Sequence, residues 1–494
     1  MKKRMILVLY AFTLWFSVLM IQPQAGYAAA NELPPGTAGS VEMLEQPLAD
    51  LDEGINDAIS EQVMPGAVVL IARNGKVVKH DAYGYAARYT DADFTEMDEP
   101  VKMQADTIFD MASISKLFTA VGVMQLWDQG LFKLDDPVSD YLPEYDTDEK
   151  GDITIKQLLT HTSGEKPGPS GNIYDMDGTR EELLEYVMRE PLQYEPGEEY
   201  VYSDINYITL GVLIERLSGN RQDVFIRENI LEPLQMSDTM YNPPEELKPR
   251  IAATEFQPWT DRGLVWGSVH DEKAWALDGV AGHAGVFSSA EDMAIFAQML
   301  LNEGSYQGQQ IVSEGTFELM NKNWNEAYPG QNHGLGWDLN QDWYMDVLAE
   351  ENTLGHTGYT GTSMVVSPKL KTIAILLTNR VHPTRDTVST NPIRKTVAEK
   401  TASSIYAWNA ATMKEQVASL KEKGDVSTDA ARSLRLHLTA VSHYEETGQV
   451  EKVLKHLEGM KTMLEFQRIS QLISEEAYHT LTSDTKYLMG KWRE

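Results

Sequence analysis

Leu44, Leu48, Leu51, Ile55 and Ile59 recur at the three- and four-residue steps of one helix face. The run from Gly66 to Ala72 is apolar throughout, the pattern of a strand buried on both faces. Asn74-Gly75 follows, a strong two-residue hairpin signal, so a second antiparallel strand is expected from Lys76. From about 107 to 300 the chain is punctuated by Asp-Pro, Glu-Pro and Pro-Gly and reads as helices and loops. Strand patterns return at Thr362 to Val366 and Thr372 to Thr378. The predicted fold class is therefore α/β of the α+β kind: an antiparallel sheet built from both ends of the segment, flanked by helices, with a mostly helical insertion. Beyond about 411 only helical spacing remains, with Leu434, Leu438 and Val441 on one face and Val450, Val453, Leu454, Leu457 and Leu464 on another. Ser474 is placed as the N-cap of a further helix, which predicts a small all-α module of three or four helices over 411–494.

The first thirty residues differ from all of this. Met1-Lys2-Lys3-Arg4 precedes 17 mostly apolar residues, Met5 to Ile21, and a small-residue stretch from Ala25 to Ala30. That is the layout of a secretory leader, expected to be cut near Ala28 to Ala30, so the protein is expected outside the cell or at its surface. A membrane association is expected only if the leader stays on. Residues 31–42, rich in Pro, Gly and small polar residues, read as a flexible lead-in to a hydrolase-sized domain over 43–410.

Composition removes several functions. The 494 residues include no cysteine, which excludes thiol catalysis, Cys-ligated zinc and iron–sulfur clusters. A net charge of -32 argues against nucleic acid as a partner, because phosphate binding is driven by cationic side chains that displace counterions. That charge is local: residues 31–410 carry -34 and residues 411–494 only -1, a break that marks the tail as a separate module.

The stretch Phe109-Asp-Met-Ala-Ser113-Ile-Ser115-Lys116 carries the most chemistry. A serine hydroxyl needs a base to become a nucleophile, and serine followed three residues later by lysine puts both on adjacent helical turns. At the start of that helix the Ser113 N–H also points at a developing oxyanion. Later come Tyr202-Ser203-Asp204 and Gly355-His356-Thr357-Gly358-Tyr359. His161, His270, His283 and His382 lack His-Glu-x-x-His spacing and are expected to fix loops by hydrogen bonds.

This ordered trio resembles the penicillin-recognising serine hydrolases: class C β-lactamases, D-alanyl-D-alanine peptidases and related esterases. Leu158-Leu-Thr-His-Thr-Ser-Gly164, Leu134-Asp-Asp-Pro-Val and Gly282-His-Ala-Gly-Val-Phe-Ser288 match as well. The resemblance implies a β-lactamase/transpeptidase-like fold without cofactor or metal. It implies Ser113 as the acylated nucleophile, Lys116 as its proton partner, and Tyr202, as phenolate or through Lys116, as general base. The N–H groups of Ser113 and Tyr359 would form the oxyanion hole, with Asp204, His356, Thr357, Gly358 and Tyr359 at the substrate. A second reading makes Ser203 the catalytic hydroxyl of a Ser-Asp-Asn-like motif, though the 89-residue interval between Ser113 and Tyr202 suits the tyrosine reading better.

Two positions depart from the family. Asp204 stands where Asn is usual and can only accept at neutral pH. His356 stands where β-lactamases have Lys, and an ordinary imidazole would bind a carboxylate only below about pH 6.5. The expected substrate is therefore a D-amino-acid cell-wall peptide, then a small ester or amide, then a β-lactam. The alternative is a cell-wall-binding or regulatory protein with little turnover, motivated by Asp204. Residues 413–489 resemble FIMAH-type helical modules through Leu420-Lys-Glu-Lys-Gly-Asp-Val, the helix from Leu434 to Tyr444, and Ile473-Ser-Glu-Glu-Ala-Tyr. That resemblance implies an accessory or cell-surface role, with peptidoglycan a possible partner.

Overall fold

The computed structural model describes residues 32–406 and 408–493. The leader expected over residues 1–30 lies outside the described residues. No described helix is long and apolar enough to cross a membrane.

Seven antiparallel strands form the main sheet, in the order Asp338–Leu339, Leu354–Thr357, Ser363–Ser367, Thr372–Thr378, Gly66–Arg73, Lys76–Tyr89, Glu96–Lys102. The N-terminal strand pairs with the last one, Val69 opposite Leu376, so both ends of the segment meet at the centre of the sheet. Alternation explains why Gly66–Arg73 is buried along its whole length. Val68, Leu70 and Ala72 enter the large core shared with the helical insertion, while Ala67, Val69 and Ile71 enter the smaller core under the helices Glu45–Ser60 and Asn391–Tyr406. Asn74 and Gly75 both have positive φ, 50° and 74°, as the tight hairpin expected from their sequence requires.

Inserted between the strands are the helices Ser115–Asp128 and Asp204–Ser218, which cross inside the large core. Gly282 lies at that crossing: a Cβ there would stand 1.8 Å from the Tyr207 carbonyl oxygen, so only glycine fits.

The lead-in is packed rather than flexible. Pro35 bridges to Val77, and Leu33, Ala38 and Val41 are buried. Arg73 holds the segment by donating to the carbonyls of Val41 (2.6 Å) and Glu42 (2.8 Å), and to Leu370 on the far side (3.1 Å). Local composition favours a loose chain, but a buried guanidinium needs acceptors, and this segment supplies them.

Four helices, Ala410–Lys423, Thr428–Glu446, Val450–Ile469 and Glu475–Lys491, close the chain around a core of their own. Ser474 caps the last of them by accepting from the Ala477 N–H. The module leans on the first domain: Leu44 packs against its core and the Gln416 side chain donates to the Gly39 carbonyl at 2.9 Å. In the last helix Asp484 is fully buried, and among the described residues neither oxygen has a hydrogen-bond partner at full bonding geometry. Burial, reinforced by Glu42, pushes its carboxyl well above the usual range, with Gln416 and Arg73 opposing. Folding therefore takes up a proton that the unfolded chain releases near pH 4, and stability falls as pH rises from there toward the raised folded value. Asp484→Asn is expected to raise the urea midpoint at pH 8, the gain shrinking toward pH 4; an equal effect at both pH values would contradict this.

Candidate active site

Ser113 sits in a single 3₁₀ turn, Ala112–Ile114, that leads directly into the helix Ser115–Asp128. The turn is tight: Ala112 has φ +46°, a conformation costly for a residue with a Cβ. Its surroundings hold it there. The Ala112 N–H donates to Asp110 Oδ1 (2.8 Å), and Asp110 Oδ2 accepts from the His270 N–H (2.6 Å). The Met111 N–H bonds the Val286 carbonyl (2.9 Å), whose own N–H reaches Ser115 Oγ (3.0 Å). From the sheet edge, Thr360 Oγ1 donates to the Asp110 carbonyl at 2.7 Å. Gly358 approaches Met111 so closely that a Cβ would lie 2.6 Å from its carbonyl oxygen.

One helical turn on, Lys116 is completely buried, its Nζ 3.2 Å from Ser113 Oγ and 3.0 Å from Asp204 Oδ1. Burial pushes the ammonium below its ordinary pKa, against the pull of Asp204. The Tyr202 ring lies 4.7 Å from Lys116 Nζ and packs, tilted by 38°, against His161 at 4.6 Å. The Tyr202 ring is partly exposed to the clefts, but desolvation of its hydroxyl, with Asp204 beside it, pushes Tyr202 well above its usual value, and contact with Ser113 only partly offsets that. That direction favours the neutral phenol over the phenolate expected for Tyr202.

Asp204, expected at the substrate, is committed to two lysines. Its second oxygen pairs with Lys273 at 3.3 Å, Lys273 pairs with Asp271 at 3.2 Å, and Asp271 accepts from His283 Nε2 at 2.9 Å. Asp204 is held down to about 2, burial being outweighed by Lys116, His283 and Lys273. Asp204, Asp271 and His283 bring three donor atoms within 4.8 Å, a spacing that could hold a cation, but the Lys273 ammonium already bonds both carboxylates.

Two clefts meet at Ser113, Tyr202 and Tyr359. The wider, about 600 Å³, is lined by His356, Thr357 and Gly358 together with Trp343, Arg380 and Arg394. The narrower, about 340 Å³, is lined by Asp204, Asp271, Lys273, His283 and Arg385. His356 differs from expectation. It is buried, Nδ1 donates to the Thr357 carbonyl at 2.8 Å, and Nε2 has no partner. Burial, then Lys116, push its pKa down to about 3, so it does not become a carboxylate-binding cation below pH 6.5 as an ordinary imidazole would.

Ser203 is not in either cleft: it is buried and its hydroxyl donates to the Lys166 carbonyl at 2.5 Å. His161, His270, His283 and His382 fix loops; His382, for example, accepts from the N–H groups of Arg88 and Tyr89. The sequence reading missed Lys273, Asp271, Arg380 and Arg394, and also Asp338, a wide-cleft carboxyl that burial pushes up to about 7. Among the described residues no carboxylate pairs with Arg380 or Arg394. Arg394 instead donates to the carbonyls of Gly358 (2.8 Å) and Thr362 (3.0 Å). Its one sequence signal is Asn391-Pro392, a helix start just after the last strand.

The comparisons agree with this geometry. The beta-lactamase family model matches residues 43–399 and a FIMAH domain model matches residues 410–490. A protein of Bacillus subtilis (strain 168) named N-acetylmuramyl-L-alanine amidase is 33% identical, covering 76% of this chain and 91% of its own. A protein of Escherichia coli (strain K12), provisionally named D-alanyl-D-alanine carboxypeptidase, is also 33% identical, covering 72% and 87%. Among solved structures, the hydrolase EstCE1 superposes with a TM-score of 0.56 at 25% identity, covering 72% of this chain and 99% of that one. A penicillin-binding protein homologue from Caulobacter crescentus has the same fold, with a TM-score of 0.57 at 18% identity over 72% and 97%. The fold and the serine–lysine site define a serine hydrolase of the penicillin-recognising type. The chain belongs to the beta-lactamase family and carries a FIMAH domain at its C-terminal end.

One prediction follows from His356. Its ring carbon resonances, assigned with His356→Gln, are expected to stay flat in an NMR titration from pH 5 to 9; a midpoint near 6.5 would contradict the burial argument.

Proposed function

We propose that this protein is a secreted acyl-enzyme hydrolase of cell-wall peptides, with the bond to a D-amino acid as its leading target. The observation that carries the reading is the 3.2 Å contact between Ser113 Oγ and the buried Lys116 Nζ. Because burial disfavours the ammonium, neutral Lys116 is within reach as a base.

In the proposed reaction Ser113 Oγ attacks the scissile carbonyl as its proton passes to Lys116 Nζ. The N–H groups of Ser113 and Tyr359 stabilise the oxyanion, each worth on the order of 3 kcal/mol. Tyr202, kept as a neutral phenol, gives its proton to the leaving nitrogen and is refilled from Lys116. Water then attacks the ester, its proton moving through Tyr202 to Lys116, and collapse of the second intermediate returns a proton to Ser113 Oγ. Arg380 and Arg394 give the wide cleft a positive end suited to a substrate carboxylate.

A second reading is favoured by the wide cleft itself. Trp343 is 41% exposed there, beside the amide side chains of Gln331 and Gln341, a lining suited to a sugar ring. With an N-acetylmuramyl-L-alanine amidase among the relatives, a muramyl-peptide amide is the alternative bond. The binding-protein reading loses its motive, since Asp204 serves as counter-ion to the catalytic lysine.

The test is a panel of D-alanyl-D-alanine peptide, muramyl peptide, p-nitrophenyl ester and benzylpenicillin, run with wild type and Ser113→Ala. A fluorophosphonate is expected to add once to the wild type by intact mass and not to Ser113→Ala, with at least one amide cleaved by wild type alone. Equal labelling or equal turnover by the two proteins would remove Ser113 from the reaction.

A further inference from the structure

Lys116 and Asp204 are not an isolated pair. They begin a line of groups that runs away from Ser113: Lys116, Asp204, Lys273 and Asp271, of alternating sign, and then the His283 ring, with successive contacts of 3.0, 3.3, 3.2 and 2.9 Å. The line closes on itself, because the His283 backbone carbonyl lies 3.5 Å from Lys116 Nζ. Three separate parts of the chain supply it: the nucleophile helix, the start of the helix Asp204–Ser218, and the segment 271–283, in which Asp271 caps the short helix Glu272–Ala276 that carries Lys273.

A carboxylate alone beside a buried lysine is a poor arrangement for a base. Opposite charge within 4 Å favours the ammonium, which cannot accept the Ser113 proton. We propose that Lys273 is a positioning residue whose ammonium, shared between Asp204 and Asp271, draws off part of the Asp204 charge and so leaves Lys116 able to act as a base. The proposal rests on the serine–lysine reading of the site. It deepens that reading by assigning the second lysine a task other than holding substrate: Lys273 lines the narrow cleft, yet two carboxylates already occupy its ammonium.

Charge signs around Lys116 support the assignment. Asp204 and Asp271 favour its protonated form and Lys273 opposes it. The other groups facing it are the neutral phenols of Tyr202 and Tyr207, at 4.7 and 5.7 Å, and the imidazoles of His161 and His356. Both imidazoles are pushed well below their ordinary value by burial and by charges that include Lys116, which favours their neutral forms. Asp338 lines the same wide cleft, acts electrostatically on Tyr202 and is pushed up to about 7 by burial, so its own contribution is subtracted with Asp338→Asn.

Two substitutions should move Lys116 in opposite directions. Lys273→Met removes the competing cation and should raise the pH at which Lys116 loses its proton by roughly one unit or more. Asp271→Asn keeps the helix cap, since the Asn oxygen can still accept from the Ala274 N–H. It frees Lys273 for Asp204 and should lower that pH. Two readouts are needed on the full-length chain: the acid limb of the fluorophosphonate labelling rate against pH, and the ¹³Cε resonance of Lys116 in lysine-labelled protein, assigned with Lys116→Arg. Opposite shifts of limb and resonance support the proposal. Absence of a shift, or shifts of the same sign, overturns it, and Asp271→Asn alone decides should Lys273→Met not fold. If the resonance shifts as expected while labelling persists in Ser113→Ala, the charge line stands and the nucleophile assignment falls.

Discussion

A lysine with no exposed surface, 3.2 Å from a serine hydroxyl, is the constraint around which the catalytic domain is arranged. Burying an isolated ammonium costs several kcal/mol, so the fold must provide both a counter-ion and a way of keeping that counter-ion from fixing the proton. Asp204 is the first and Lys273 the second. Each is delivered by a different element of the mostly helical insertion, Asp204 by the helix Asp204–Ser218 and Lys273 by the helix Glu272–Ala276. The crossing of the helices Ser115–Asp128 and Asp204–Ser218 sets the Lys116–Asp204 distance, and Gly282 lets the loop that carries His283 press against that crossing.

The sheet supplies the opposite wall. Because the first and last strands of the domain pair at its centre, the strand Leu354–Thr357, one in from the edge, arrives beside the nucleophile turn in a fixed register, His356 opposite Met364. Contacts then run both ways: Thr360 and Thr362 bond the carbonyls of Asp110 and Met111, and Arg394 bonds those of Gly358 and Thr362. The positive φ of Ala112 persists because these bonds over-determine it. The turn that presents Ser113 is thus held from the sheet side and from the insertion side at once.

Ser113, Lys116, Tyr202 and the His356-Thr357-Gly358 strand were legible because each is a short local pattern whose chemistry depends on close spacing. The seven-stranded sheet was legible only in part. Apolar runs announced its central strands, while Glu96–Lys102, half-exposed and charged, carries no apolar signal. Lys273 and Asp271 could not be found in this way. They lie 67 to 69 residues from Asp204 among ordinary charged residues, and only folding brings them together. The lead-in was misread for a related reason: its Pro and Gly content describes a chain without regular structure, but a buried arginine elsewhere needed its carbonyls.

The two departures from the family pattern make sense together. An acidic residue at 204 brings a negative charge to the lysine, and Lys273 offsets it, so Lys116, Asp204, Lys273 and Asp271 sum to zero in their ionised forms. A lysine at 356 would add an uncompensated cation to this buried group. Histidine there stays neutral, contributes a lone pair at Nε2, and leaves the balance intact. His356 therefore brings no cation to this site, while Arg380 and Arg394 in the wide cleft stand without carboxylate partners among the described residues. Under the proposed hydrolase reading, recognition of a carboxylate by these arginines would leave the charge balance around Lys116 untouched.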